Sequence, residues 1–210
     1  MHLSSLLQAL TAQVRAKGMA LELLEDMEAL YRAEPQLDGK ALSPLFRGEL
    51  FDMQDAFWIR GVRLSDGKLV HVQAAKLEDT GRRSLAELLP RQLNRCYDAG
   101  LQRADCPALD LIRGRLAYHG DTWVSPAMRG ARLGGTLTQI GLLAAYARWQ
   151  PDFVYAFFEK GPAYSGFGAR SWYTKMERMG RRWSRWIEAT EFLAYMTREE
   201  LDRLVALEAR

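Results

Sequence analysis

Cysteine is scarce in this chain: Cys96 and Cys106 are the only two among 210 residues. Two thiols build no disulfide framework, and they read as reduced groups in a cytoplasmic protein. Histidine is nearly as rare. His2, His71 and His119 share no spacing with each other or with the cysteines that would suit a metal, so no metal site is expected. No apolar run approaches the roughly 18 residues that a membrane-spanning helix needs. Charge of one sign is also missing, because a formal net charge of +3 is too mild to point to nucleic acid by itself. Neither a Walker motif nor a G-x-S-x-G elbow occurs, which removes the commonest nucleotide-hydrolysing and serine-hydrolase arrangements.

What remains is the composition of a globular protein, 48% apolar and 26% charged. The length suits one sizeable core, and a single domain over residues 1–210 is expected. Leu3, Leu6, Leu7, Leu10 and Val14 recur at helical spacing, and Leu21, Leu24, Met27 and Tyr31 continue the period after Lys17-Gly18. Two helices, or one bent helix, are expected over about 2–33, so that residues 1–34 form a helical segment. Gln8, Gln13, Arg15 and Lys17 interrupt its apolar pattern, which makes it an amphipathic helix and not a signal peptide. Its apolar face should pack on the core, with a homodimer surface as the alternative.

Residues 57–76 read as a β-hairpin, with Val62 and Leu64 on one arm, Val70, Val72 and Ala74 on the other, and Asp66-Gly67 as the turn. Ser84 and Glu87 form a capping-box pattern ahead of Leu85, Leu88, Leu89 and Leu93, predicting a helix to about 98. Ala108 to Trp123 is strand-like. Leu133, Leu137, Ile140, Ala144 and Ala147 form a helix stripe that ends before Pro151, and Phe153 to Phe158 suits a buried strand. A loop leading to a helix is expected over 166–179, then one bent strand or two short ones over 183–196. Thr197 and Glu200 should cap a last helix. Arg47 to Met53 is the best candidate for a first strand.

The segment with the most chemistry in it is Val124-Ser125-Pro126-Ala127-Met128-Arg129-Gly130-Ala131-Arg132-Leu133-Gly134-Gly135-Thr136. It runs from a strand-like stretch through a proline and a Gly/Arg turn into the apolar helix. The first N–H groups of a helix have no partner within it, and the positive end of its dipole favours an anion by roughly 0.3–1 kcal/mol at exposed sites. Glycines let the backbone approach, and Arg129 and Arg132 add fixed positive charge suited to phosphate. Such a segment is built to hold a pyrophosphate.

This segment resembles motif A of the GNAT superfamily of N-acetyltransferases, V-x-P-x-x-R-G-x-G-x-G/A. Val124, Pro126, Arg129, Gly130 and Gly134 match, while Arg132 stands where the family has glycine. The resemblance implies an α/β (α+β) fold: a mixed, mostly antiparallel central sheet flanked by helices, here with extra N-terminal helices. It also implies acetyl-CoA, or another acyl-CoA, as cosubstrate. Trp123, Val124 and Ser125 would offer backbone groups to the pantetheine arm. Arg129, Gly130, Ala131, Arg132, Leu133, Gly134, Gly135 and Thr136 would cradle the pyrophosphate.

Acyl transfer to an amine needs a deprotonated amine, a polarised thioester oxygen and a stabilised leaving thiolate. The family pattern A-x-x-x-Y-x-K-x-G-F is echoed by Ala169, Tyr173, Lys175 and Gly180, with Gly180 three residues late. The resemblance therefore implies Tyr173 as general acid, with Tyr164 in a Gly-rich loop as the fallback. The general base stays open among Glu159, Asp121 and His119. Arg178, Arg181, Arg182, Trp183, Arg185 and Trp186 interleave basic and aromatic side chains. A solvated strand face explains that cluster, and single-stranded nucleic acid, an acidic acceptor or the CoA 3′-phosphate are the competing readings. Two functions are thus expected in competition: an acetyl-CoA-dependent N-acetyltransferase acting on a primary amine, and a non-catalytic acyl-CoA-binding or protein-interaction module.

Overall fold

The computed structural model describes residues 2–97, 106–179 and 191–208. A seven-stranded sheet lies at its centre. Its strands are β1 (Met19–Leu24), β2 (Ala56–Arg63), β3 (Leu69–Ser84), β4 (Arg113–Val124), β5 (Phe153–Glu159), β6 (Lys175–Arg178) and β7 (Glu191–Thr197), in the spatial order β1-β2-β3-β4-β5-β7-β6. Only β4 and β5 pair in parallel; every other pair is antiparallel. The helices are α1 (His2–Ala16), α2 (Met27–Ala33), α3 (Leu85–Tyr97), α4 (Ala108–Leu111), α5 (Gly134–Trp149), α6 (Lys160–Tyr164), α7 (Phe167–Arg170) and α8 (Arg198–Glu208). The mixed, mostly antiparallel sheet flanked by helices is the architecture expected.

Period-2 alternation divides the strands between two cores. Phe57, Ile59, Ala117, Val154, Ala156, Ala194 and Met196 pack against α1, α5 and α8. Trp58, Val72, Ala74, Leu116, Tyr118, Tyr155 and Leu193 pack against α2, α3 and α4. Burying one side chain of this size contributes about 1.5–3 kcal/mol. The stripe of α1 lies inward, with Leu6, Leu10 and Val14 buried against the core.

Four expectations need correction. Residues 19–24 are not helix but the edge strand β1, paired in register from Met19↔Arg63 to Leu24↔Trp58. Gly18, at φ +83°, ends α1, and the free edge of β2 then offers the leucine-rich segment more hydrogen bonds than a short helix would. Arg47 to Met53 is accordingly not the first strand. It follows a 3₁₀ turn, Pro44–Phe46, that buries Phe46 against Tyr118, ring centroids 5.3 Å apart. Over 166–179 the chain makes the short helix α7 and then strand β6, with no following helix, because the edge of β7 is open to pairing. The first residues of the 108–123 stretch form α4 before β4 begins.

Other local signals hold. Gly67, at φ +69°, turns the β2–β3 hairpin. At the start of α8 the Glu200 carboxylate accepts from the Thr197 N–H at 2.8 Å, and Thr197 Oγ1 accepts from the Glu200 N–H at 3.2 Å, a complete capping box. Thr197→Ala should cost about 0.5–2 kcal/mol, the usual value of such a cap. Denaturant unfolding of the two proteins measures it, and an unchanged midpoint would show that β7 alone holds the start of α8.

Candidate active site

A parallel pair of strands must be joined by a crossover, and α5 is that crossover. The β4–β5 ladder joins Leu116 to Phe153, Ala117 to Val154 and Tyr118 to Tyr155, and there it stops. β4 runs on to Val124 still paired with β3, and β5 runs on to Glu159 still paired with β7. Each strand keeps its outer partner while the inner edges part. A wedge therefore opens between residues 119–124 and 156–159, with backbone groups on both facing edges available to a ligand.

At the wide end of the wedge, β4 passes into the motif segment. The Ser125 N–H donates to the Val70 carbonyl at 2.8 Å, and a 3₁₀ turn follows over Pro126–Ala131, anchored by buried Met128. Arg132 takes the left-handed conformation, φ 56° and ψ 31°, that a glycine adopts freely. The departure from the GNAT pattern thus leaves the turn itself in place, with the arginine side chain in solvent. Leu133 caps α5 without a side-chain hydrogen bond. The N–H groups of Gly134, Gly135 and Thr136 have no acceptor within the helix, and these residues are half-buried. Arg129 and Arg132 are exposed beside them, and neither forms an ion pair with another described residue. An uncapped first turn flanked by two guanidinium groups that pair with no other described residue fits a phosphate or pyrophosphate.

Tyr173 lies across the foot of the wedge. Its ring stands edge-on to Phe158 of β5, centroids 5.4 Å apart, and its hydroxyl is 3.3 Å from Nδ1 of His119 on β4. It is buried, and burial pushes its phenol above the ordinary tyrosine range. His119 continues inward, with Nε2 at 3.0 Å from Oε1 of Gln73 on β3, and Gln73 Nε2 donates to the Leu137 carbonyl of α5 at 2.8 Å. His71 lies close by and is held by the Trp123 carbonyl at 2.7 Å from its Nδ1. All of these side chains lie beneath α5. Gly141 makes room for them, because a Cβ there would come within 2.5 Å of His119 Nε2 and 2.7 Å of Gln73 Oε1.

The carboxylate candidates sit on the opposite face. Asp121, at φ 52°, turns toward the loop that precedes β2. Its oxygens accept from the Ser43 N–H at 3.0 Å and from Lys40 at 3.1 Å. Desolvation raises its pKa, while Lys40 and the Ser43 N–H pull it down. Glu159 ends β5 on the face of Tyr155 and Phe157 and is exposed. The structure does not bring Asp121 or Glu159 to Tyr173. Tyr164 is 67% exposed and rests edge-on against Phe192, away from His119. Arg178 is exposed on β6, and Arg181, Arg182, Trp183, Arg185 and Trp186 lie outside the described residues.

Sequence reasoning missed Gln73 and His71. The signal was present in Val70-His71-Val72-Gln73-Ala74, where the residues between the apolar ones are polar but uncharged. A strand with one solvated face usually carries lysine or glutamate there; histidine and glutamine indicate a second covered face.

No protein-family model matches the chain, and no curated protein matches it by sequence. Among solved structures it is similar to Arabidopsis thaliana NAA60 in complex with acetyl-CoA, at 14% identity and a TM-score of 0.52, over 85% of this chain and 99% of that one. It is similar to FeeM, an N-acyl amino acid synthase from uncultured soil microbes, at 9% identity and a TM-score of 0.52, over 90% of this chain and 96% of that one. A spermidine N-acetyltransferase from Vibrio cholerae aligns at 10% identity with a TM-score of 0.52, over 88% of this chain and 96% of that one.

The two histidines make stability depend on pH. Desolvation lowers His71 to about 4, with the Trp123 carbonyl opposing, and lowers His119 to about 3, with His71 adding to the shift. Both stay neutral in the fold and gain protons on unfolding. Their contribution is therefore complete above about pH 6.5 and is lost as pH falls toward 4, by up to roughly 1.4 kcal/mol per histidine per pH unit. Thermal unfolding across that window should fall steeply, and His71→Gln should remove about half of the slope. A slope unchanged in His71→Gln would mean that His71 is protonated in the fold.

Proposed function

We propose that this chain, which has the fold of the GNAT superfamily, is an acetyl-CoA-dependent N-acyltransferase acting on a primary amine. One observation carries the reading. The β4–β5 wedge opens directly beside an uncapped helix start flanked by Arg129 and Arg132, which form no ion pair with another described residue. A pantetheine arm needs an edge of free backbone amides, and a pyrophosphate needs a cluster of N–H donors with positive charge. Here the two requirements meet end to end. On this reading Trp123, Val124 and Ser125 line the arm, with Val124 offering the backbone groups, because the Ser125 N–H already donates to Val70, its carbonyl accepts from Met128 and the Trp123 carbonyl is held by His71; the stretch from Arg129 through Thr136 receives the pyrophosphate. The aligned structures of NAA60 with acetyl-CoA and of the NatC complex with CoA belong to proteins that bind this cosubstrate, which supports the choice.

The chemistry follows from the two faces of the wedge. Tyr173, beneath α5, supplies a hydroxyl to the leaving sulfur. The acceptor amine approaches from the other face, where Glu159 and Asp121 lie. The amine nitrogen attacks the thioester carbonyl in a ternary complex, its proton passes to a carboxylate directly or through water, and the C–S bond breaks. Glu159 is the better placed base, because Asp121 already accepts from Lys40 and Ser43. Those engaged Asp121 oxygens, together with the burial of Tyr173, favour a second reading: an acyl-CoA-binding module without turnover.

Calorimetry should give micromolar binding of acetyl-CoA or CoA, roughly −8 kcal/mol. Arg129→Ala should weaken it by about 1.5–3 kcal/mol. Absence of binding to acetyl-CoA and to longer acyl-CoAs would overturn the proposal. Thiol release from acetyl-CoA with a panel of primary amines separates the two readings. For an accepted amine, Tyr173→Phe should slow turnover about 10²–10³-fold with CoA affinity retained, the usual cost of losing one hydrogen-bond donor to developing negative charge. Full turnover in Tyr173→Phe, with loss in Tyr164→Phe, would move the hydroxyl role to the end of α6, where Tyr164 lies in a helix and not in the loop expected.

A further inference from the structure

Four groups form one buried chain beneath α5. The Leu137 carbonyl accepts from Gln73 Nε2 at 2.8 Å, Gln73 Oε1 meets His119 Nε2 at 3.0 Å, and His119 Nδ1 meets the Tyr173 hydroxyl at 3.3 Å. The direction of every bond follows from its first member. A carbonyl only accepts, so the Gln73 amide must turn its NH₂ to Leu137 and its oxygen to His119. That oxygen also only accepts, so the His119 proton sits on Nε2. Nδ1 is then a lone pair, and the Tyr173 O–H must donate to it. His71 is fixed in the other tautomer, because its Nδ1 faces the Trp123 carbonyl.

We propose that Gln73 and His119 are positioning residues for Tyr173: they hold its hydroxyl at the foot of the wedge and keep the phenol un-ionised, so that Tyr173 assists the departing sulfur by hydrogen bonding and not by giving up its proton. This role rests on the acyltransferase reading. A tyrosinate oxygen would face the lone pair of His119 Nδ1, which offers it no proton. His71 is the nearby titratable group that acts on His119, and it too is neutral in the fold. His119 is therefore not the base that takes the amine proton; its only basic nitrogen is aimed at Tyr173. When the C–S bond breaks, the electron pair stays on sulfur. The Tyr173 O–H turns from Nδ1 to the thiolate, and no proton changes owner. Gly141 belongs to the same device, since any side chain there would meet His119 and Gln73.

Two measurements test this, and neither needs the acceptor. Nitrogen NMR of the histidine rings in the native protein should find His119 as the neutral Nε2–H tautomer and His71 as the neutral Nδ1–H tautomer near neutral pH. His119 as Nδ1–H, or as the cation, overturns the proposal. The second measurement titrates the thiol of bound CoA by its ultraviolet thiolate absorbance. A hydrogen bond to the thiolate should lower its pKa by about one to two units relative to free CoA. Tyr173→Phe should abolish the shift. Gln73→Met should reduce it while CoA affinity stays within about twofold, the tautomer lock being lost. An equal thiol pKa in the native protein and Tyr173→Phe overturns the role of the hydroxyl. An unaltered shift and an unaltered His119 tautomer in Gln73→Met overturn the role of the relay. If CoA fails to bind the native protein, the acyltransferase reading falls and this role with it, whatever the tautomers are.

Discussion

One parallel pair in an otherwise antiparallel sheet sets the geometry of the rest. Strands that run the same way cannot be joined by a tight turn, so the chain has to cross the sheet between β4 and β5, and α5 makes that crossing. The crossing puts the start of α5 at the end of β4 that β5 has already left. Phosphate-binding potential and an open strand edge are thus brought together by connectivity. If the pairing continued past Tyr118 and Tyr155, the facing edges would satisfy each other and the motif segment would overhang a closed sheet.

Burying α5 has its own requirements. It is covered by the sheet on one side and by α1 on another, and its apolar residues reach almost all the way round. The sheet beneath it is not wholly apolar, because His71, Gln73 and His119 are fully or nearly fully buried there. Buried polar groups are tolerated when they bond to one another, and here the Leu137 carbonyl starts the series and Tyr173 ends it. Gly141, at a cost of about 1 kcal/mol in helix propensity, lets the helix come down onto this network. The helix that would grip the pyrophosphate and the hydroxyl at the foot of the wedge are therefore linked by a few short bonds.

The opposite face is held by charge. Asp121 fastens the loop at Lys40 and Ser43, and Tyr31 bonds the Ser43 carbonyl at 2.5 Å. Farther along β3, Lys76 and Glu78 form a buried ion pair at 2.6 Å; Gln92 of α3 and Tyr155 of β5 both donate to Glu78. These contacts hold α3 and the loop before β2 against the sheet on either side of Tyr118. Loss of one partner from the Lys76–Glu78 pair would leave the other charged and buried, which is costlier than the pair is stabilising.

Patterns with a local cause could be read from the chain. The hairpin about Asp66-Gly67, the Thr197–Glu200 box, the apolar run of β5 and the Gly/Arg entry to α5 each depend on residues a few positions apart, and each formed as read. Residues 19–24 are apolar enough to suit helix and strand alike, and residues 175–178, Lys-Met-Glu-Arg, are too short and too charged to show either period; in both places a free strand edge, supplied by residues far away in sequence, chose strand. The site divides in the same way. By itself, the sequence determined a glycine-rich helix start after β4 and a tyrosine after the apolar strand β5. Only the tertiary structure decided that β4 and β5 part after three pairs, that Tyr173 meets His119 and Gln73 while Asp121 turns to Lys40, and that Arg132 stands in a glycine's conformation. The side-chain hydrogen bonds about the site join residues 46 to 81 positions apart, and no local preference encodes which of them will meet.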